Sequence, residues 1–176
     1  FFCGVGLVSF QTYFAAYLSE DLLFTEPSAA RAWILPGALG SVSGLFLAFV
    51  ANRCSIKRTV QLSLCVLGTA ILALGLGGGS GFALFVGITY GLLYFGLFGL
   101  LPAYLTVVIS DQAASRIFGQ SNLFLGIGSV FGGLLGGKIA HTYGSFEPFW
   151  IITAGCVAVA FLILTQLPSD KAPSGT

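Results

Sequence analysis

FALFVGITYGLLYFGLFGLLPAYLTVVI, residues 82–109, contains no acidic or basic side chain. A helix rising about 1.5 Å per residue needs about 20 apolar residues to cross the hydrocarbon core of a bilayer, so this stretch is long enough to span one. Five more such stretches lie at residues 1–18, 32–51, 60–76, 117–137 and 148–167, each nearly free of charge. The breaks between them hold Glu20, Asp21, Glu26 and Arg31; Arg53, Lys57 and Arg58; Asp111 and Arg116; and Lys138 and Glu147, while residues 77–81 form a charge-free break, GGGSG. The pattern predicts an all-α fold: a polytopic membrane protein with six transmembrane helices.

Composition agrees. The chain of 176 residues is 56% hydrophobic and 7% charged, with a mean hydropathy of +0.97, whereas a soluble domain carries about 25% charged residues. A transmembrane barrel would need strands of about 10 residues alternating apolar with polar, and no such alternation occurs. Residues 1–18 lack the positive flank of a signal peptide, and five spans follow them. The formal net charge of +1, without a basic run or an aromatic–basic patch, gives no indication of nucleic acid.

The placement of charge predicts orientation. With the first span starting in the cytoplasm, the inner breaks and tail carry Arg53, Lys57, Arg58, Arg116 and Lys171, and the outer breaks carry Arg31 and Lys138. The positive-inside rule then puts both ends in the cytoplasm, for a protein of the plasma or cell inner membrane. Residues 1–168 form the expected six-helix bundle and residues 169–176 a polar cytoplasmic tail. The sequence has no Met and ends in a Pro-containing polar run, so it reads as a carboxy-terminal portion. Trp33 and Trp150 stand near the outer ends of spans, where an aromatic belt is expected. Cys3, Cys54, Cys65 and Cys156 are scattered, with no metal-binding spacing; Cys3, Cys65 and Cys156 read as small apolar packers within spans. No cofactor and no metal is indicated.

No Asp, Glu, Lys or Arg falls in the middle of a span, so an intramembrane proton carrier is not expected in this chain. Small and uncharged polar residues remain. Gly128, Gly132, Gly136 and Ala140 recur every four residues in the fifth span beside a second stripe of Gly119, Asn122, Gly126, Ser129, Gly133 and Gly137; Gly37, Gly40 and Gly44 repeat the device in the second, and Gly87, Gly91, Gly96 and Gly99 mark the fourth. Such stripes let helix backbones approach closely; tight packing and a gating role both fit. Thr12 and Tyr13 of the first span and Tyr90 and Tyr94 of the fourth form polar faces that should turn away from lipid. Together with Asn122 they are the candidate substrate-pathway residues, with interhelical hydrogen bonding as the alternative role.

Two stretches carry a family resemblance. GLFLAFVANRCSIKR, residues 44–58, resembles the second-half copy of the inner-loop motif of the major facilitator superfamily, commonly (D/N)RxGR(R/K): Asn52, Arg53, Lys57 and Arg58 match, while Ser55 stands where glycine is usual and Ile56 where a basic residue is usual. GGLLGGKIAHTYGSFEPFW, residues 132–150, resembles the eleventh span and following turn of the monocarboxylate-porter and oxalate/formate-exchanger branches; Gly144, Ser145 and Phe146 match, and His141 replaces a frequent aspartate. The resemblance covers the whole chain as the carboxy-terminal six-helix half of such a transporter. It implies a secondary transporter of a small solute, with a small organic anion as the branch-level expectation. A missing amino-terminal six-helix half, the lipid bilayer and the solute are the implied partners, and transport proceeds by alternating access between two bundles with the solute bound near the midplane. The first, second, fourth and fifth spans would then border the cavity, and the third and sixth would face lipid. An enzyme is not expected.

Two rival readings have sequence support. GGSG at residues 78–81 and AHTYG at residues 140–144 match strings of rhomboid-type intramembrane serine proteases, but Ser80 lies in a short flexible break and His141 precedes the last span instead of lying in it. A free-standing six-helix membrane module is the other.

Overall fold

The computed structural model describes residues 1–170, so the final residues of the expected polar tail, 171–176, and with them Lys171 of the charge count, lie outside the described residues. Six helices follow one another: α1 covers residues 4–20 as a π turn, Gly4–Val8, continuing into α-helix Ser9–Glu20; then come α2 (Glu26–Cys54), α3 (Ile56–Gly75), α4 (Ser80–Val108), α5 (Asp111–Tyr143) and α6 (Glu147–Gln166). There is no strand among the described residues. Helices α2 to α6 are each long and apolar enough to cross a membrane; α1, expected as the first of six spans, is not among them, because its α-helix covers only Ser9–Glu20 after the π turn. The protein is a polytopic α-helical integral membrane protein. At about 1.5 Å per residue, the 29 residues of α2 reach about 44 Å. That exceeds a hydrocarbon core of ~30 Å, so the expected spans extend into the interfacial regions.

The breaks are shorter than the sequence suggests because local chemistry carries each helix to the edge of its turn. Pro27 in the first turn of α2 loses no intrahelical bond. Between α2 and α3 only Ser55 is non-helical, at φ 123° and ψ 154°. Gly77 at φ 87° closes the α3–α4 turn, and Gly144 at φ 65° ends α5, its N–H donating to the Ala140 carbonyl at 2.8 Å. These are left-handed conformations in which a side chain is strained.

The helix pairings have an internal symmetry. Among the main pairings, α2 lies along α4 as α5 lies along α1; α3 meets α4 as α6 meets α1; α2 touches α3 as α5 touches α6; and α1 touches α2 as α4 touches α5, with α3–α6 and α1–α4 besides. Exchanging α1–α3 with α4–α6 keeps this pattern of main pairings, though α2 and α4 meet more extensively than α5 and α1. Short turns between successive helices alternate their directions, so α1 and α4 are expected to run oppositely, and the pairing pattern is that of two inverted three-helix units.

Glycines set the two equivalent long pairings. A Cβ on Gly91 would strike the backbone of Pro36, and one on Gly96 the Ser43 carbonyl, so α4 lies backbone-close to α2. Likewise a Cβ on Gly128 would strike the Phe1 carbonyl, one on Gly132 the Ser9 hydroxyl and one on Gly136 the Tyr13 ring, which brings α5 against α1. In contrast Gly37 and Gly44 of α2, and Gly119, Gly126 and Gly133 of α5, have nothing within 4 Å of an added Cβ.

An aromatic core fills the centre. Phe10, Phe14, Tyr17, Tyr90, Phe149 and Trp150 are all 0% exposed. Trp150 therefore does not stand in an interfacial belt: it packs between Phe10 and Tyr17, at 5.3 and 5.5 Å, because the first turn of α6 faces α1 instead of lipid. Trp33 is half-buried against Phe14. Cys65, expected as a small apolar packer within a span, lies in α3 and is exposed along a groove between α3 and α6.

Candidate substrate pathway and helix-end clasps

The π turn that opens α1 widens the helix and tips carbonyls away from its axis. Tyr90 of α4 uses this: its hydroxyl donates to the Leu7 carbonyl at 2.8 Å, while Ser9 Oγ donates to the Gly4 carbonyl at 3.4 Å. Tyr94 stacks on Tyr90 with centroids 4.5 Å apart and is itself buried. Tyr13 is half-buried and donates to the Gly133 carbonyl across the α1–α5 contact, its ring between Phe146 and Phe149. Thr12 is exposed, and its hydroxyl returns to the Val8 carbonyl one turn back at 3.2 Å. Asn122 is exposed on α5 and lines a largely apolar cavity of about 470 Å³ between α4, α5 and the end of α6.

The five candidate residues thus fall into two places. Tyr13, Tyr90 and Tyr94 stand inside the bundle, where the Tyr13 and Tyr90 hydroxyls satisfy main-chain acceptors, while the neighbouring Trp150 Nε1 is buried without a hydrogen-bond partner among the described residues. Thr12 and Asn122 stand on its surface. Sequence reasoning passed over a polar ridge on α5: Gln112, Arg116 and Gln120 are exposed at four-residue spacing, beside the open Gly119. The signal was present as an i, i+4 repeat, hidden because the first turns of α5 read as a break between spans. Ser80 opens α4 and His141 lies in the last turn of α5, both exposed; no hydrogen bond joins them among the described residues.

At the α2–α3 turn the loop-motif residues acquire distinct tasks. Asn52 and Arg53 are exposed, with the Arg53 guanidinium 4.9 Å from the Phe49 ring centroid. Every donor at the start of α3 is taken: Ser55 N–H by the Ala51 carbonyl at 3.0 Å, Ile56 and Lys57 N–H by the two carboxylate oxygens of Asp170 at 2.6 and 3.1 Å, and Arg58 N–H by Ser55 Oγ at 3.3 Å. Lys57 Nζ reaches the Thr165 carbonyl at 3.1 Å and the Leu167 carbonyl as well, both at the end of α6. Tyr104 of α4 donates to the Pro168 carbonyl.

The opposite end has a parallel arrangement. Asp21, just beyond α1, accepts from Ser145 Oγ at 2.7 Å and from Phe146 N–H at 2.8 Å, and Ser145 Oγ accepts from Glu147 N–H at 3.1 Å. The GSF turn is therefore a tie between the end of α1 and the start of α6, where the helix dipole favours a carboxylate.

No protein-family model matches the chain. A stretch of 61 residues, 33% of the chain, is 43% identical to Multidrug resistance protein MdtG of Citrobacter koseri. The match spans 15% of that protein's length.

Proposed function

We propose that this chain is one six-helix half of a secondary transporter of the major facilitator type, moving a small organic solute by alternating access against a second six-helix bundle. The observation that carries the reading is the pattern of the main helix pairings, which is kept on exchanging the first three helices with the last three, as expected of the nested inverted repeat in such halves. The similarity to a multidrug resistance protein and the loop-motif resemblance at residues 44–58 support it.

In this reading α2 and α5, equivalent under the repeat, turn their open glycine faces toward the second bundle. Thr12 and Asn122 contribute polar groups at the pathway surface, and Tyr13, Tyr90 and Tyr94 hold the wall from behind. The apolar lining of the cavity beside Asn122 favours a solute with substantial hydrocarbon surface. Both ends of the chain lie in the cytoplasm.

The test is flux. Full-length protein in liposomes, with an imposed proton or sodium gradient, should move drug-like organic solutes or organic anions saturably, and one solute should compete with another. Gradient-independent leakage that does not saturate would contradict secondary transport.

A further inference from the structure

We propose that residues 165–170 form a latch whose reciprocal helix capping couples α6 to α3 at the loop-motif end of the bundle. The inference stands on the chain's own hydrogen bonds and does not depend on the transport reading. The start of α3 presents N–H groups at the positive end of a helix dipole, and the end of α6 presents carbonyls at the negative end. Each helix supplies the other's cap: Asp170, past the end of α6, gives both carboxylate oxygens to the Ile56 and Lys57 amides. In return Lys57, in the first turn of α3, gives its ammonium to the Thr165 and Leu167 carbonyls. Tyr104 fastens the strap to α4 through the Pro168 carbonyl, and Pro168 with Leu167 walls the cavity that Asn122 shares.

Asp170 is 8% exposed, unlike a free tail residue, so the segment expected to be a polar tail begins docked. Lys57, a matched position of the inner-loop motif, is committed within its own bundle. While the latch is closed, α3 and α6 move as one body and the strap covers one side of the cavity. When it opens, Lys57, the first turn of α3 and that cavity wall are freed together.

Hydrogen–deuterium exchange on the full-length protein in nanodiscs tests this. The amides of Ile56 and Lys57 sit too early in α3 for an intrahelical partner, so protection there reports Asp170 alone. Wild-type protein should protect both amides. Asp170→Ala should speed their exchange about tenfold or more, Asp170→Asn should do so less, and Ser169→Ala should match wild type, with residues 64–72 of α3 unchanged throughout as the folding control. Unprotected Ile56 and Lys57 amides in the wild type would overturn the latch without recourse to any variant. So would unchanged exchange in Asp170→Ala with the control region intact.

Discussion

Ser55 shows how one side chain can sit against its own backbone. At φ 123° and ψ 154° it occupies a region populated almost only by glycine, at a cost of about 1–3 kcal/mol. The single-residue turn between two long helices demands that geometry, which is the physical reason the resembling loop motif has glycine there. Ser55→Gly should stabilise the protein by about 1 kcal/mol, the relief of strain exceeding the few tenths lost with the hydroxyl cap. Ser55→Ala keeps the strain, deletes the cap and should cost about 1 kcal/mol. Thermal unfolding of the detergent-solubilised protein checks both signs. The departure from glycine was legible in the sequence, but its consequence required the dihedral. Asp170 and Asp21 were not legible as caps at all: their partners lie more than 100 positions away in the chain, and a carboxylate in a break looks the same whether solvated or bonded.

The helices themselves were legible because bilayer thickness imposes a length on any apolar run: six runs became six helices, five of them long and apolar enough to cross a membrane. What sequence periodicity could not supply was which face of each helix meets which neighbour. The glycines make the point, since the fifth span carries two interleaved stripes of similar composition. Gly128, Gly132 and Gly136 abut α1, whereas Gly119, Gly126 and Gly133 face open space. Trp150 illustrates the same gap, for its place at a span end suggested a belt while its direction put it in the core. Packing contrast gives the prediction at this scale. Gly132→Ala drives a methyl into the Ser9 hydroxyl and the Val5 carbonyl, and should cost about 1–3 kcal/mol as overpacking. Gly79→Ala, in an open turn, should change stability by less than about 0.5 kcal/mol. Comparative thermal unfolding of the two variants reads the difference; equal effects would mean that the α1–α5 contact is loose.

Across the whole molecule, the inverted repeat predicts that α2 and α5 play equivalent parts, and both leave a face uncovered in the six-helix bundle. Gly37 and Gly44 on α2 stand seven residues apart, as do Gly119, Gly126 and Gly133 on α5, a spacing that keeps them along one side of each helix. Lipid does not require such grooves, whereas helices packing into them gain close backbone contact. Site-directed spin labelling of the full-length protein in nanodiscs distinguishes the two environments, with single labels at Gly44 and Gly126 compared with one at the exposed Leu162 of α6. The account predicts that labels at Gly44 and Gly126 are immobilised and poorly accessible to dissolved oxygen, covered by a second bundle, while the label at Leu162 collides freely with oxygen in the acyl chains. Equal, high oxygen accessibility at all three positions would show that α2 and α5 face lipid, and would contradict the assignment of this chain as one half of a paired transporter.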